Sequence, residues 1–265
     1  ARDEPVAGLA ESNGTSLMPR PPRRLLGLSA TLVVFSLLVI GVSGPGYSAG
    51  VWSLPSGFQL LRVGFAGGLL GGLLALTALR WRRMLTPGAW LVLAATLAGA
   101  ITASAVPAGW ARTGRSVPPI HDITTDTQDP PAFVDVLTHR RGAMNPPEYA
   151  GEAVAAQQRA AWPDLGPLDV PVSRAQVHAA VRAVMERSGW QVVGDDAAAG
   201  RLEAIATTRW FRFKDDIVVR LRDRPDGGTR LDMRSKSRIG RSDLGTNARR
   251  IRTFLGDVRA QLGQG

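Results

Sequence analysis

The sequence predicts an α+β protein in which three transmembrane helices are followed by a two-layer sandwich of antiparallel sheet and helices. Two observations lead to this fold class. Three apolar runs without acidic residues, each close to the length of a membrane span, occupy the first 110 residues. The later residues alternate between strand-like and helix-like hydrophobic periods, with the strands between two helices.

The membrane anchor is predicted to comprise residues 21–110, with helices at about 25–42, 58–79 and 89–106. A bilayer core requires roughly 17 to 25 apolar residues per helix, and a single segment can satisfy its own backbone there only as a helix. Residues 1–20 are small, polar and acidic, and we expect a disordered cytoplasmic tail. A cleavable signal peptide, ending near Ser48 and Ala49, is the alternative interpretation of the first run.

Arginines set the predicted orientation of the anchor. Arg23, Arg24 and the basic turn 80–83 lie on one side of the spans, whereas the loop 44–57 on the other side has no charge. Short loops rich in Lys and Arg stay in the cytoplasm. The N-terminus is therefore expected inside and the C-terminal domain in the periplasm, at the bacterial inner (cytoplasmic) membrane.

The net charge of +10 reflects this orientation. Up to Arg115 there are ten basic residues against three acidic ones. A nucleic-acid binder would instead carry its basic stripe on a soluble domain, so no nucleic-acid partner is expected. Because the chain has no cysteine, disulfides, thiolate metal sites and haem attachment are excluded.

The second span carries glycines at helical spacing, which is typical of close helix packing in lipid. This face meets either the other two helices of the chain or another subunit. Arg62 lies near the outer end of the same span, where it either extends to the headgroups or pairs with a partner. The glycines are Gly64, Gly67, Gly68, Gly71 and Gly72.

An extended, proline-containing linker is predicted at 111–131, and a periplasmic α+β domain at 132–265. Short helices are expected at 133–139 and 149–161. A longer helix at 174–187 begins after Ser173 as its cap, and a closing helix at 244–262 begins after Asp243 or Ser242. The predicted strands are 190–194, 201–208, 216–223 and 229–237.

The last two strands form a hairpin whose turn, 224–227, fixes the register. One face is expected to be buried and the other solvated. The buried face pairs Leu221 with Leu231, Val219 with Met233 and Ile217 with Ser235. The solvated face pairs Arg220 with Asp232 and Asp216 with Lys236.

Two sequence runs, 120–126 (IHDITTD) and 237–247 (SRIGRSDLGTN), resemble the hallmarks of the family called domain of unknown function 1499. Gln157-Gln158 and Trp162-Pro163-Asp164 also fit, with Trp162 where Tyr is expected. The resemblance covers about 118–262. It implies an envelope or membrane-associated domain and supplies no catalytic residues.

Two groups of polar residues are candidates for metal binding or acid–base catalysis. His121, Asp122 and Asp126 offer one imidazole and two carboxylates in a short run, but such residues more often cap turns than bind a metal. His139 and His178 show no neighbouring nucleophile or orienting acid in the sequence. We therefore expect no metal site, no cofactor and no enzymatic activity.

The segment 230–259 contains nine basic residues against three acidic ones. It is either a solvated basic face or a site for an anion, such as a lipid phosphate or an acidic patch on a partner. The aromatic and basic run 210–214 suits either the bilayer interface or a buried strand edge. The candidate anion- or partner-binding residues are Arg234, Lys236, Arg238, Arg241 and Arg249.

The first functional hypothesis is a non-catalytic accessory subunit of a larger membrane complex, such as a respiratory or photosynthetic one. Its expected partners are membrane lipids and a membrane-protein subunit. The second hypothesis is an envelope module that binds a lipid or another anionic ligand, and an enzyme is the third.

Overall fold

The structure, a computed structural model, describes residues 23–263 of the chain. The tail predicted at 1–20 lies outside these residues. The described part consists of three long helices followed by a domain of sheet and helices, which is the predicted α+β fold class.

The three helices are long and apolar enough to cross a membrane, and they extend beyond the predicted spans. Ser53 and Thr86 cap the second and third of them by accepting N–H bonds of 3.4 and 3.3 Å. The third helix continues past the predicted boundary until Val117, which is extended because prolines follow it. The helices are α1 (Arg23–Ser48), α2 (Leu54–Ala78) and α3 (Pro87–Ser116), and a 3-10 helix (Leu79–Met84) joins the last two.

The glycines of α2 pack inside the three-helix bundle. A Cβ on Gly71 would lie 2.6 Å from Val33 Cγ2 of α1, and one on Gly68 would lie 2.7 Å from Ala103 Cβ of α3. Gly64 and Gly67 also face α1, and Gly72 faces α3. Ser29 Oγ donates a 2.8 Å hydrogen bond to the Gly71 carbonyl across this contact. Small residues thus let the backbones approach closely, and the predicted packing face is used within the chain.

The domain is built on one antiparallel sheet of six strands. Its strand order is β1-β6-β5-β4-β3, and β2 also pairs with β6. The strands are β1 (Asp122–Thr124), β2 (Leu168–Val170), β3 (Gln191–Asp196), β4 (Arg201–Thr207), β5 (Lys214–Asp223) and β6 (Thr229–Ser237). The helices are α4 (Glu152–Ala161), α5 (Arg174–Arg187) and α6 (Thr246–Gln261), and a further 3-10 helix is Asp135–His139.

The first strand falls within the region 111–131, which was predicted as a linker. This region instead belongs partly to α3 and partly to the sheet. Its first residues extend α3 to Ser116, and β1 then pairs with β6. A three-residue strand between prolines carries too short a pattern to be recognised, and only its distant partner defines it.

Helices α5 and α6 cover one face of the sheet and enclose the main hydrophobic core. Ser173 caps α5 in a capping box with Gln176, as the sequence predicted. The predicted hairpin register is confirmed, with Leu221 opposite Leu231 and Val219 opposite Met233. Core side chains from the helices include Val177, Val181, Met185, Ile251, Phe254 and Val258.

The other face of the sheet was predicted to be solvated, and this prediction is wrong. Asp216 and Asp232 are 0% exposed and Lys236 is 2% exposed. Residues 125–149, which we call the covering segment, lie over this face, and Phe133 and Val136 pack on Ile205 and Val218. The sequence pattern of the hairpin alone does not show that a segment about 100 residues away in sequence covers it.

Candidate functional site

The covered face of the sheet carries a row of buried charged side chains. Asp122 accepts hydrogen bonds from Arg234 Nε and Lys236 Nζ, each at 2.8 Å. Strand pairing brings them together, since Asp122 lies opposite Lys236 and Thr124 lies opposite Arg234. The three charged side chains are at most 3% exposed, so their charges interact in a medium of low dielectric constant.

A second cluster lies beside the first. Asp216, fully buried, accepts a hydrogen bond from Arg140 and one of 2.8 Å from Arg238 Nε. It also lies opposite Lys236 in the β5–β6 ladder, so the two clusters are contiguous. Together they contain four cations and two carboxylates, with no side chain more than 7% exposed. The two clusters taken together therefore hold an excess of two positive charges.

The remaining donors of these cations bind backbone carbonyls around the covering segment. Arg234 Nη1 donates to the Pro131 carbonyl at 3.2 Å, and Lys236 Nζ donates to the Glu148 carbonyl at 2.7 Å. An irregular segment cannot satisfy its own buried carbonyls, and the cations do so for it. The five accepting carbonyls are those of Pro131, His139, Asn145, Pro147 and Glu148.

Glu203 on β4 also holds the covering segment. Its carboxylate accepts the N–H groups of Val134 and Val136, each at 2.8 Å, at the start of the 3-10 helix. Burial raises the pKa of Glu203, although these backbone bonds oppose the shift. Burial likewise lowers the pKa of Lys236, while the nearby Asp122 carboxylate opposes that shift.

Asp126 caps a turn, as the sequence predicted for this type of residue. Its Oδ1 accepts the N–H groups of Gln128 at 3.1 Å and Asp129 at 3.0 Å. Burial alone would raise the pKa of Asp126, but these N–H groups and the Arg222 guanidinium bring it below its ordinary value. His121 and Asp122 do not join it in a cluster, and within residues 23–263 no three acidic or histidine side chains converge to hold a metal.

The five basic residues predicted to bind an anion occupy two different environments. Three of them are buried in the two charge clusters, whereas Arg241 and Arg249 are exposed. Arg249 Nη1 donates to the Leu244 carbonyl at 3.0 Å. The buried three are Arg234, Lys236 and Arg238.

The N-terminus of α6, where the anion was expected, is occupied by a carboxylate of the chain. Asp243 accepts the N–H groups of Gly245 at 2.8 Å and Asn247 at 2.7 Å. Asp243 was one of the two predicted caps, and the helix starts later than predicted because Gly245 adopts a left-handed conformation at the N-cap.

His178 differs from the sequence interpretation, since it does have an orienting acid. Its Nε2 lies 2.9 Å from Asp195 Oδ1, and Arg182 pairs with the other oxygen of the same carboxylate. The acid comes from β3, which packs beside α5, so the sequence spacing gave no indication of it.

The loop between β4 and β5 attaches the domain to the membrane helices. Phe211 is 5% exposed and packs with Ile40, Leu61 and Ala103 from the three helices. Phe58 of α2 lies with its ring centroid 5.4 Å from that of Phe211. Of the two interpretations for 210–214, neither a free bilayer contact nor a strand edge describes this arrangement, since the aromatic rings pack on the helix bundle.

A cleft of about 630 Å³ opens beside this contact, and we call it the anchor cleft. Tyr47 at the end of α1 forms one wall, and Arg141, Arg212 and Lys214 supply exposed cations from the domain. Within residues 23–263 these three cations have no ion pair or side-chain hydrogen bond. Arg212 also holds the left-handed φ of 56°, which is costly for a residue other than glycine.

Sequence reasoning missed the anchor cleft. Tyr47 and Arg141 are 94 positions apart in the sequence, and nothing in either stretch predicts that they meet. The only available indication was the alternation of aromatic and basic residues at 210–214, which suggested an interface without identifying its second side.

Comparison with known families identifies the family of the domain. Residues 122–258, slightly more than half of the chain, match the family described as "Protein of unknown function (DUF1499)". The chain belongs to the DUF1499 family. This confirms the resemblance predicted from the sequence. No curated protein and no solved structure matches the chain.

The two runs that predicted DUF1499 membership lie side by side in the structure. The His121 carbonyl accepts hydrogen bonds from Ser237 N at 2.9 Å and Asn247 Nδ2 at 3.0 Å. His121 Nδ1 donates to the Arg241 carbonyl at 3.3 Å. Membership of the DUF1499 family defines no reaction, and a fold alone does not determine a function.

Proposed function

We propose that this DUF1499 protein is a non-catalytic, membrane-anchored binding module whose anchor cleft holds the phosphate of an anionic phospholipid. The observation that carries the proposal is a set of three cations, unpaired within residues 23–263, around a cleft beside the end of α1. The described residues that line the cleft include no Asp or Glu. A phosphate would meet positive charge on the domain side with no carboxylate beside it.

The position of the cleft supports a lipid ligand. Helix α1 has 26 residues, about 39 Å in length, whereas the hydrocarbon core is about 30 Å thick. Its end at Ser48 therefore reaches the headgroup region. Tyr47 is suited to this level because its ring is apolar and its hydroxyl is polar.

The proposed setting is the bacterial cytoplasmic membrane, with the N-terminus inside and the domain in the periplasm. The basic turn at 80–83 and the uncharged residues between α1 and α2 support this orientation. We expect a reporter fused after Leu262 to be active outside the cytoplasm and one fused at Arg83 to be active inside. The reverse pattern would contradict the orientation.

Lipid retention tests the binding proposal. The full chain is placed in nanodiscs of phosphatidylglycerol and phosphatidylcholine, released, and analysed by native mass spectrometry for bound lipid. We expect wild type to retain phosphatidylglycerol preferentially. The variant Arg212→Gln/Lys214→Gln should bind it at least about tenfold more weakly, because each lost charge-assisted hydrogen bond contributes about 1.5–3 kcal/mol.

The control variant is Arg187→Gln/Arg259→Gln, which removes two exposed cations that do not line the cleft. It should retain phosphatidylglycerol as wild type does. Equal loss in both double variants would mean that total charge, and not the cleft, attracts the lipid.

A second candidate function is that of an accessory subunit in a larger membrane complex. Val134, Leu137 and Met144 on the covering segment are 47%, 43% and 78% exposed, which is unusual for apolar residues of this domain. Arg62 is exposed on α2 and has no ion pair within residues 23–263. In a native extraction from the membrane analysed by mass spectrometry, a protein that co-purifies stoichiometrically with wild type but not with Leu137→Ser would favour the subunit.

A further inference from the structure

We infer that the family motifs form a second binding site, which takes a small oxyanion of carboxylate or phosphate chemistry. The site is a cavity of about 180 Å³ between β1, β6 and α4, which we call the His121 cavity. It shares no lining residue with the anchor cleft. Its lining residues are Pro119, Ile120, His121, Asp122, Ala150, Val154, Lys236 and Arg241.

The charge around this cavity is not balanced by the chain. Asp122 is the only carboxylate paired with Arg234 and Lys236 among residues 23–263, so the buried triad has one positive charge in excess. An unbalanced buried cation is costly unless it is neutralised or meets a counter-ion. An oxyanion in the cavity would supply the missing negative charge beside Lys236.

Two donors are available to hold the anion. The Lys236 ammonium has three N–H groups, and the described residues take two of them, through Asp122 and the Glu148 carbonyl. The Arg241 guanidinium has no hydrogen bond or ion pair to any residue in 23–263. Both side chains line the cavity, one from its buried end and one from its exposed rim.

The other walls favour a single compact group. Pro119, Ile120 and Val154 are apolar, and they limit the water that would otherwise screen the charges. Asp122 also lines the cavity and would repel an anion, but its two oxygens are already engaged by Arg234 and Lys236. The volume is large enough for one carboxylate or phosphate group.

The experiment is a calorimetric titration of the full chain in detergent with inorganic phosphate, and separately with acetate. We expect wild type to bind at least one of them and Arg241→Gln to weaken this binding about tenfold or more. Arg241 is exposed and has no side-chain partner within residues 23–263, so this variant should fold normally. The matched control is Arg249→Gln, an exposed arginine that does not line the cavity.

The anchor-cleft variant Arg212→Gln/Lys214→Gln separates this inference from the proposed function. Phosphate binding that survives in that variant and is lost in Arg241→Gln supports the His121 cavity. Phosphate binding that is lost only in the anchor-cleft variant overturns the inference and leaves the lipid proposal standing. An absence of phosphate and acetate binding to wild type also overturns it.

A repeat in phosphatidylglycerol nanodiscs identifies the source of the oxyanion. If the lipid competes with phosphate in wild type and Arg249→Gln, the cavity takes the lipid's own phosphate. Unchanged affinity indicates a free anion. In both cases the ligand of the cavity is an oxyanion, and only its source differs.

Discussion

Replacing Asp122 with Asn is expected to destabilise the domain by about 3 to 5 kcal/mol, a large share of the net stability of a typical domain. The substitution leaves Arg234 and Lys236 buried without a carboxylate, and both are at most 3% exposed. Asn retains one acceptor oxygen but carries no charge. The unpaired cations, and not the lost hydrogen bond alone, account for most of this expected effect.

Thermal unfolding of the full chain in detergent, followed by tryptophan fluorescence, measures this effect. For a domain of this size the midpoint should fall by roughly 10 to 15 °C. The control is Asp164→Asn, which breaks an exposed pair with Arg252 and should cost less than about 1 kcal/mol. Equal shifts for the two variants would show that the Asp122 cluster is not a structural requirement.

A second variant tests whether the stability lost in Asp122→Asn comes from the unbalanced charge or from the changed shape of the side chain. Lys236→Met, combined with Asp122→Asn, removes one of the unpaired cations and keeps a side chain of similar length. Part of the lost stability should return, since buried ion pairs can be replaced by apolar residues at little cost. If the double variant is no more stable than Asp122→Asn, repulsion between the buried cations is not the cause.

The local features of this fold can be predicted from the sequence, but the burial of one sheet face by a segment distant in sequence cannot. The hairpin register follows from four turn residues and an alternating pattern, and each predicted pair is present. The same pattern misassigned the face with Asp216 and Lys236, because charged residues on a strand normally indicate solvent. What buries them is the covering segment, whose carbonyls bind cations about 90 to 100 positions away.

The same limit applies to the candidate sites. A basic stretch at 230–259 is visible in the sequence, but its composition does not distinguish Arg238, which pairs with Asp216, from Arg241, which is exposed and unpaired within 23–263. Both residues follow the end of β6, and they differ because the covering segment buries Arg238 and leaves Arg241 exposed. The sequence therefore indicates the region of the proposed anion site, while only the packing shows which cations are accessible.

Replacing Phe211 with Ala is expected to release the domain from the membrane helices. Phe211 belongs to a buried cluster with residues of all three helices, and truncating a buried phenylalanine costs about 3 to 5 kcal/mol. Neighbouring rings lose their partner as well, since Phe213 stacks on Phe211 with centroids 5.2 Å apart. The domain has its own core between the sheet and α5 and α6, so it should stay folded while its attachment becomes mobile.

Distance measurement between two spin labels tests this expectation. Because the chain contains no cysteine, Ala49→Cys near the end of α1 and Ser188→Cys after α5 can be labelled selectively. We expect a narrow distance distribution in the otherwise unchanged chain and a broad one with Phe211→Ala. The control is Phe35→Ala, a 54% exposed ring on α1, which should leave the distribution narrow. A narrow distribution in the Phe211→Ala protein would mean that other contacts hold the domain, and that the anchor cleft does not depend on this ring for its shape.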